Sequence, residues 1–313
     1  MSHPDILVAG RMPPNVLDQL EASFTVHCLP EAADEAQMMI DAVGERIRGV
    51  ATNAVQAPQI EMLERLPRLE IMASSGIGTD ALNVDYAGKR GIHVTNTPDV
   101  LTDDVADAAI MLMLATSRQL VLADRNVRAG CWLEGLSLAH RVSGKRLGIL
   151  GLGRIGQAIA KRAAAFDMPI GYHQRHINPD VSYTYYHSPT ALAADSDFLV
   201  VVVPGGSETD RMVDAAVLDA LGPEGILVNI GRGTTVDEPA LIEALTEGRI
   251  RGAGLDVLAD EPNVPDALRT LDNVVLAPHY ASATVETRLA MGQLVVDNLR
   301  AHFDGRTLLT PVG

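Results

Sequence analysis

The sequence has little cysteine, little positive charge and no long apolar run, and each shortage removes a class of function. Two cysteines, Cys28 and Cys131, in 313 residues cannot build a disulfide framework. They lack metal-ligand spacing as well, so a reducing compartment is expected and both thiols read as small buried apolar residues. Lys and Arg total 25 against 40 Asp and Glu, a formal net charge of −15. That excess repels nucleic acid and anionic membrane, so neither is expected as a partner. No run reaches the ~18 apolar residues of a membrane span, and the start, MSHPDILVAGRMPP, has no basic stretch leading into a secretory apolar core. A cytoplasmic protein is expected.

What remains is an ordinary globular mix, 47% hydrophobic and 21% charged. Short Ile/Val/Leu runs alternate with helical patterns, the mark of βαβ units and a parallel sheet. DILVA (5–9), FTVHC (24–28), GVAT (49–52), LEIMA (69–73) and IHV (92–94) form one strand series. RLGIL (146–150), PIGYH (169–173), DFLVVVV (197–203), GILVNI (225–230), GAGLDV (252–257) and NVVLAP (273–278) form a second. One long helical stretch, about Thr102 to Arg128, separates them, which predicts two α/β domains joined by that helix. A last helical stretch runs from Val285 to Phe303.

At mid-chain, RLGIL-GLGRIG-QAIAKRAAAF reads as strand, tight turn and helix, the context in which a glycine motif signals a dinucleotide. Gly151 permits the turn, Gly153 lets backbone approach a pyrophosphate, and Gly156 lets the helix pack on the sheet. Arg154 and Ile155 open the helix, whose N-terminus favours phosphate. An NAD enzyme normally ends the next strand in an acid for the ribose 2′-hydroxyl. Here PIGYH runs into Gln174, Arg175 and His176, and the nearest upstream acid, Asp167, precedes the strand. Arg175 suits a 2′-phosphate, so NADP(H) is expected.

In open parallel sheets ligands bind at the carboxyl ends of the strands. Three reactive side chains follow strands there: Arg232, Glu261 and His279. Arg232 offers a planar fork for a carboxylate and the adjacent ketone oxygen. His279 has the chemistry of a proton donor near neutrality, and a Glu beside it favours the imidazolium. Together they suit reduction of a 2-oxo acid. His173 and His176 are three apart, but no HExxH helix or Cys pair accompanies them, so no metal is expected.

These residues and five longer blocks resemble the D-isomer-specific 2-hydroxyacid dehydrogenases, over nearly the whole chain. The blocks are TNTPDVLTDDVAD (95–107), GKRLGILGLGRIGQAIAKR (144–162), LVNIGRGTTVDEPALIEAL (227–245), GAGLDVLADEP (252–262) and VVLAPHYASATVETR (274–288). The likeness is nearest to NADPH-dependent glyoxylate/hydroxypyruvate and hydroxyphenylpyruvate reductases. It implies a Rossmann-type doubly wound parallel sheet, residues 100–284, inserted into a smaller flavodoxin-like α/β substrate domain, residues 1–99 and 285–313. SSGIGTD resembles the family's substrate loop, whose backbone amides hold the substrate carboxylate, and places Ser75, Gly76, Ile77 and Gly78 there, with Asn53 as a further lining residue. Val203, Pro204, Thr209, Ile230 and Asp256 flank the cofactor by the same resemblance, Asp256 near the nicotinamide carboxamide.

The resemblance also implies a homodimer through the dinucleotide domains, with the Ala/Leu/Met-rich helix Val105–Val121 supplying part of the interface. Trp132, the single tryptophan, is read either as reaching the partner's site or as interface packing. One departure stands out: where many relatives have a small apolar residue after the histidine and then Gly-Ser, this chain has Tyr280, Ala281 and Ser282. A tyrosine there either narrows the pocket or offers a hydrogen bond, and glyoxylate or hydroxypyruvate is expected over an aromatic oxo acid. NAD-dependent oxidation of phosphoglycerate or formate, and a dinucleotide-sensing corepressor role, are the alternatives the same family offers.

Overall fold

Apolar strands that alternate along a parallel sheet bury both faces, and the first strand shows it directly. Leu7 and Ala9 join one buried cluster with Val50 and Met72, while Ile6 and Val8 join another with Ala51, Ile71 and Ala73. A computed structural model of the chain describes residues 3–53, 56–132 and 135–312. Its contacts form two units, Met1–Leu101 with Ala283–Gly313, and Thr102–Ser282.

The first unit runs β1 (Asp5–Ala9), α1 (Pro14–Glu21), β2 (Thr25–Cys28), α2 (Ala33–Val43), β3 (Ile47–Asn53), α3 (Ile60–Glu64), β4 (Ile71–Ser75), α4 (Val84–Lys89) and β5 (His93–Thr95). Its five strands are parallel in the order β2-β1-β3-β4-β5, the flavodoxin-like order. The second unit contains α5 (Thr102–Ser117), α6 (Leu120–Arg128), β6 (Leu147–Leu150), α7 (Arg154–Ala164), β7 (Ile170–His173), β8 (Thr184–Tyr185), α8 (Pro189–Ala194) and β9 (Phe198–Val201). It continues through α9 (Ala215–Leu221), β10 (Ile226–Asn229), α10 (Glu238–Thr246), β11 (Gly252–Leu255), α11 (Asp266–Thr270) and β12 (Val274–Leu276). Its seven parallel strands run β12-β11-β10-β9-β6-β7-β8. The winding reverses between β6 and β9, the switch point of a Rossmann sheet.

The chain then returns to the first unit as α12 (Val285–Phe303). Thr284 caps it by accepting from Thr287 N–H at 3.2 Å, and Val295, Val296 and Leu299 cover the β1 face that carries Ile6 and Val8. On this unit Glu70 accepts Nε and Nη2 of Arg48 at 2.5 and 3.0 Å and lies 3.2 Å from Nε2 of His302.

The structure corrects two expectations and adds one strand. The long helix from Thr102 to Arg128 is two helices bent by 60°, because Gln119 takes a left-handed φ of 51° and Ser117 Oγ donates to the His140 carbonyl. The two-residue strand β8 goes unannounced by any apolar run. Cys28 is exposed on edge strand β2 and Cys131 only half-buried, since neither stands where a core cluster forms. Among the described residues no single helix is long and apolar enough to cross a membrane.

Candidate active site

All strands of the second sheet are parallel, so the loops after β6, β7, β9, β10, β11 and β12 emerge along one edge. At β6 the chain turns through Gly151, φ +98°, whose N–H donates to the His173 carbonyl at 2.9 Å. Gly153 precedes α7, which no side chain caps, and the space where a Cβ of Gly153 would stand is open to 4 Å. A Cβ on Gly156 would strike the carbonyl oxygen of Gly151. Arg154 is exposed and Ile155 half-buried in the first turn of α7. An uncapped helix start with open space above it is a site where backbone N–H groups receive an anion.

The loop after β7 is tied to this turn. Gln174, at the position where an acid normally binds ribose, accepts from Leu152 N–H at 3.1 Å and donates to the His176 carbonyl at 2.8 Å. Tyr185 hydroxyl donates to the Gln174 carbonyl at 3.2 Å, and Asn178 N–H donates to Tyr172 hydroxyl at 3.0 Å. Arg175 extends from this braced backbone with its side chain 75% exposed. After β9, Val203 is buried against Gly151, Pro204 is exposed, and Thr209 hydroxyl reaches the Pro204 carbonyl at 2.6 Å. Ile230 is buried beyond β10.

Beyond β10, Arg232 is held by a polar residue at a buried strand end. Asn229, 1% exposed, accepts from Gly231 N–H at 3.0 Å and donates to the Arg232 carbonyl at 2.9 Å. Arg232 Nη1 donates to the Gly231 carbonyl at 2.8 Å. Glu261 follows β11, with Oε1 accepting from Leu258 N–H at 3.0 Å and Oε2 lying 2.7 Å from Nδ1 of His279. Burial pushes the Glu261 carboxyl up, but the hydrogen bond and charge of His279, the Leu258 amide and the charge of Arg232 together pull it below the usual carboxylate range.

His279 follows β12 in a left-handed conformation, φ 51°, and buried Asp256 holds it there. The Asp256 carbonyl accepts from His279 N–H at 2.7 Å, and its carboxylate oxygens accept from the N–H groups of Tyr280 and Ala281 at 2.9 and 3.1 Å. Tyr280 is 41% exposed and its hydroxyl lies 3.7 Å from Met111 Sδ on α5. The structure thus brings Glu261 and His279 into contact and holds Arg232 at the end of β10, two strands from β12.

In the first unit, Asn53 ends β3 and pairs with Gln56 through two hydrogen bonds of 2.9 and 2.8 Å. Ser75 ends β4, and Gly76, Ile77 and Gly78 form the loop beyond it. Thr97 Oγ1 already accepts the Gly76 N–H at 2.9 Å, and Asn96 fixes the Ile77 carbonyl at 2.9 Å. The bracing by Asn229 and Gln174 and the clamp of Asp256 on the histidine loop escaped the sequence reading. A lone polar residue ending a buried run, as in ILVN, was the signal for Asn229.

Residues 110–281 match the D-isomer specific 2-hydroxyacid dehydrogenase, NAD binding domain. The chain is 53% identical over 269 residues to hydroxyphenylpyruvate reductase of Plectranthus scutellarioides, covering 86% of each chain. It is 53% identical over 279 residues to glyoxylate/hydroxypyruvate reductase A of Arabidopsis thaliana, covering 89% of each. An NADPH-dependent glyoxylate/hydroxypyruvate reductase from Sinorhizobium meliloti, solved in complex with NADP and malonate, matches with a TM-score of 0.92 and 44% identity, over 100% of this chain and 97% of that one. The chain belongs to the D-isomer specific 2-hydroxyacid dehydrogenase family.

Proposed function

We propose that this protein is a cytoplasmic NADPH-dependent reductase that converts a small 2-oxo acid, glyoxylate or hydroxypyruvate, into the D-2-hydroxy acid. The observation that carries the reading is the 2.7 Å contact between Glu261 and His279, on the sheet edge that also bears Arg232 and the glycine turn. The residues fit a dinucleotide: Gly153 leaves space for a phosphate, α7 begins uncapped, and Gly156 admits no side chain. Gln174 is neutral and occupied by the protein, which leaves Arg175 as the charged group of the ribose loop.

When bound, the nicotinamide supplies the reducing equivalent for the 2-oxo carbon. Glu261 accepts the Nδ1–H of His279, which fixes the ring and leaves Nε2 as the nitrogen that gives its proton to the developing alkoxide. Arg232 binds the substrate carboxylate and polarises the oxo group. With Gly76 N–H taken by Thr97, the amides of Ile77 and Gly78 are the loop donors assigned to the carboxylate, with Ser75 and Asn53 beside them. Val203, Pro204, Thr209, Ile230 and Asp256 are assigned to flank the cofactor, Asp256 as the residue that also aims the histidine loop.

We assign a homodimer to the apolar surface of the second unit. α5 spends Val105, Ala106, Ala109, Leu112 and Met113 on its own core, so the exposed contribution comes from Met111, Leu120, Val121, Val127 and Trp132. Light scattering of the purified chain gives the mass that decides it.

The deciding assay follows NADPH and NADH consumption with glyoxylate, hydroxypyruvate and 4-hydroxyphenylpyruvate. A preference for NADPH with the two small acids is expected. Turnover of 4-hydroxyphenylpyruvate equal to that of hydroxypyruvate overturns the small-substrate reading and supports the second one, suggested by the 53% identity to a hydroxyphenylpyruvate reductase.

A further inference from the structure

The chain has no acid directly behind β7, yet the fold brings one there from another loop. Glu208 stands beyond β9, and its Oε2 lies 3.2 Å from Nη1 of Arg175. β9 and β7 are the two neighbours of β6 in the sheet, so this ion pair reaches across the carboxyl end of the strand that carries the glycine turn. Both backbones are anchored. Thr209 N–H donates to the Gly206 carbonyl at 3.0 Å and its hydroxyl to Pro204, while Gln174 ties the Arg175 loop to the turn. The two side chains, 75% and 70% exposed, are open to a ligand arriving from solvent.

We propose that Glu208 is a specificity-determining residue for the cofactor, a carboxylate that competes with the 2′-phosphate for Arg175 and holds the preference for the phosphorylated dinucleotide below what Arg175 alone would give. The proposal rests on the NADPH reading above. A phosphate monoester carries about −1.5 to −2 charges near neutrality, and Arg175 can receive it only by leaving Glu208 or by sharing its fork between two anions. Sharing sets carboxylate and phosphate within a Debye length of about 8–10 Å, where screening is incomplete. A dinucleotide without the phosphate meets no such opposition, and a carboxylate accepts readily from a ribose hydroxyl. Glu208 therefore opposes NADPH and not NADH.

Calorimetric titration of the whole protein with 2′,5′-ADP and with 5′-AMP, for the natural chain, Glu208→Gln and Arg175→Ala, reads this without turnover. An exposed ion pair accounts for at most about fivefold in affinity and the removed repulsion adds a factor of similar size at most. Glu208→Gln is thus expected to bind 2′,5′-ADP about three- to tenfold more tightly, with 5′-AMP unchanged or weaker, and the gain shrinks in 0.5 M salt. If the natural chain prefers 2′,5′-ADP and Arg175→Ala abolishes that preference, but Glu208→Gln binds 2′,5′-ADP equally or less tightly, competition by Glu208 is wrong. If the natural chain binds the two nucleotides alike and Arg175→Ala changes neither, the NADPH reading itself fails and this inference falls with it. Unchanged thermal melting of both variants shows that the fold is kept.

Discussion

Replacing Glu261 by glutamine separates the charge of this side chain from its size. Its two oxygens have different partners, Leu258 N–H at 3.0 Å and His279 Nδ1 at 2.7 Å. A glutamine oxygen left on the Leu258 amide turns its NH2 group toward Nδ1, so the charged partner that accepts from Nδ1 is lost. Two unit charges about 4 Å apart interact by about 4 kcal/mol at an effective dielectric of 20. Here the side chains are 34% and 26% exposed, so a charge-assisted hydrogen bond of about 1.5–3 kcal/mol is the better measure. At about 1.4 kcal/mol per factor of ten in rate, kcat/KM falls about 10- to 100-fold. NADPH affinity, read by fluorescence titration, stays the same. In the natural enzyme Glu261 remains ionised until the pH drops below the usual carboxylate range, so the pair persists on the acid side. A Glu261→Gln enzyme whose kcat/KM stays within about threefold of the natural value refutes the charged pairing as a support of turnover.

Two further outcomes follow from the same geometry. Arg175→Ala weakens NADPH about 5- to 50-fold through loss of charge-assisted bonds at an exposed site and leaves NADH within about twofold, as measured by equilibrium binding; equal losses for both cofactors contradict the assignment. Hydrogen bonds from Arg48, reinforced by His302 against the opposing effect of burial, hold Glu70 below the usual carboxylate range. Its contribution is therefore present above the unfolded value of about 4.3 and disappears as the pH falls through the lower folded value. Solvent screening of this half-exposed pair keeps the contribution below about 1 kcal/mol, so Glu70→Gln lowers the melting temperature slightly at neutral pH, and the two melting curves converge in acid.

The sheets were legible because parallel strands buried on both faces leave near-continuous apolar runs, as in DFLVVVV and GILVNI, and helices supply the punctuation. β8 left no such trace, since Thr184 and Tyr185 pair only with Gly171 and Tyr172 at the sheet edge. The break between α5 and α6 was hidden because Gln119 carries no helix-stopping chemistry of its own; at the turn, Ser117 and Gln119 instead donate to the distant His140 carbonyl and Ser137 hydroxyl. Arg232, Glu261 and His279 were singled out by asking which reactive residues follow strands. Glu208 escaped that question: its meaning lies in a neighbour 33 positions earlier, Arg175, which only the order of strands brings within 3.2 Å. Asp256 was singled out as a candidate, but its grip on three successive amides depends on the backbone of His279 and was not legible.

The most direct test of the account is the turnover of His279→Ala with NADPH and either glyoxylate or hydroxypyruvate, alongside its NADPH affinity. Loss of a proton donor predicts a kcat about 10²- to 10⁴-fold lower with cofactor binding unchanged. A kcat near that of the natural enzyme would show that the proton comes from another group and that the pairing of His279 with Glu261 serves only the fold.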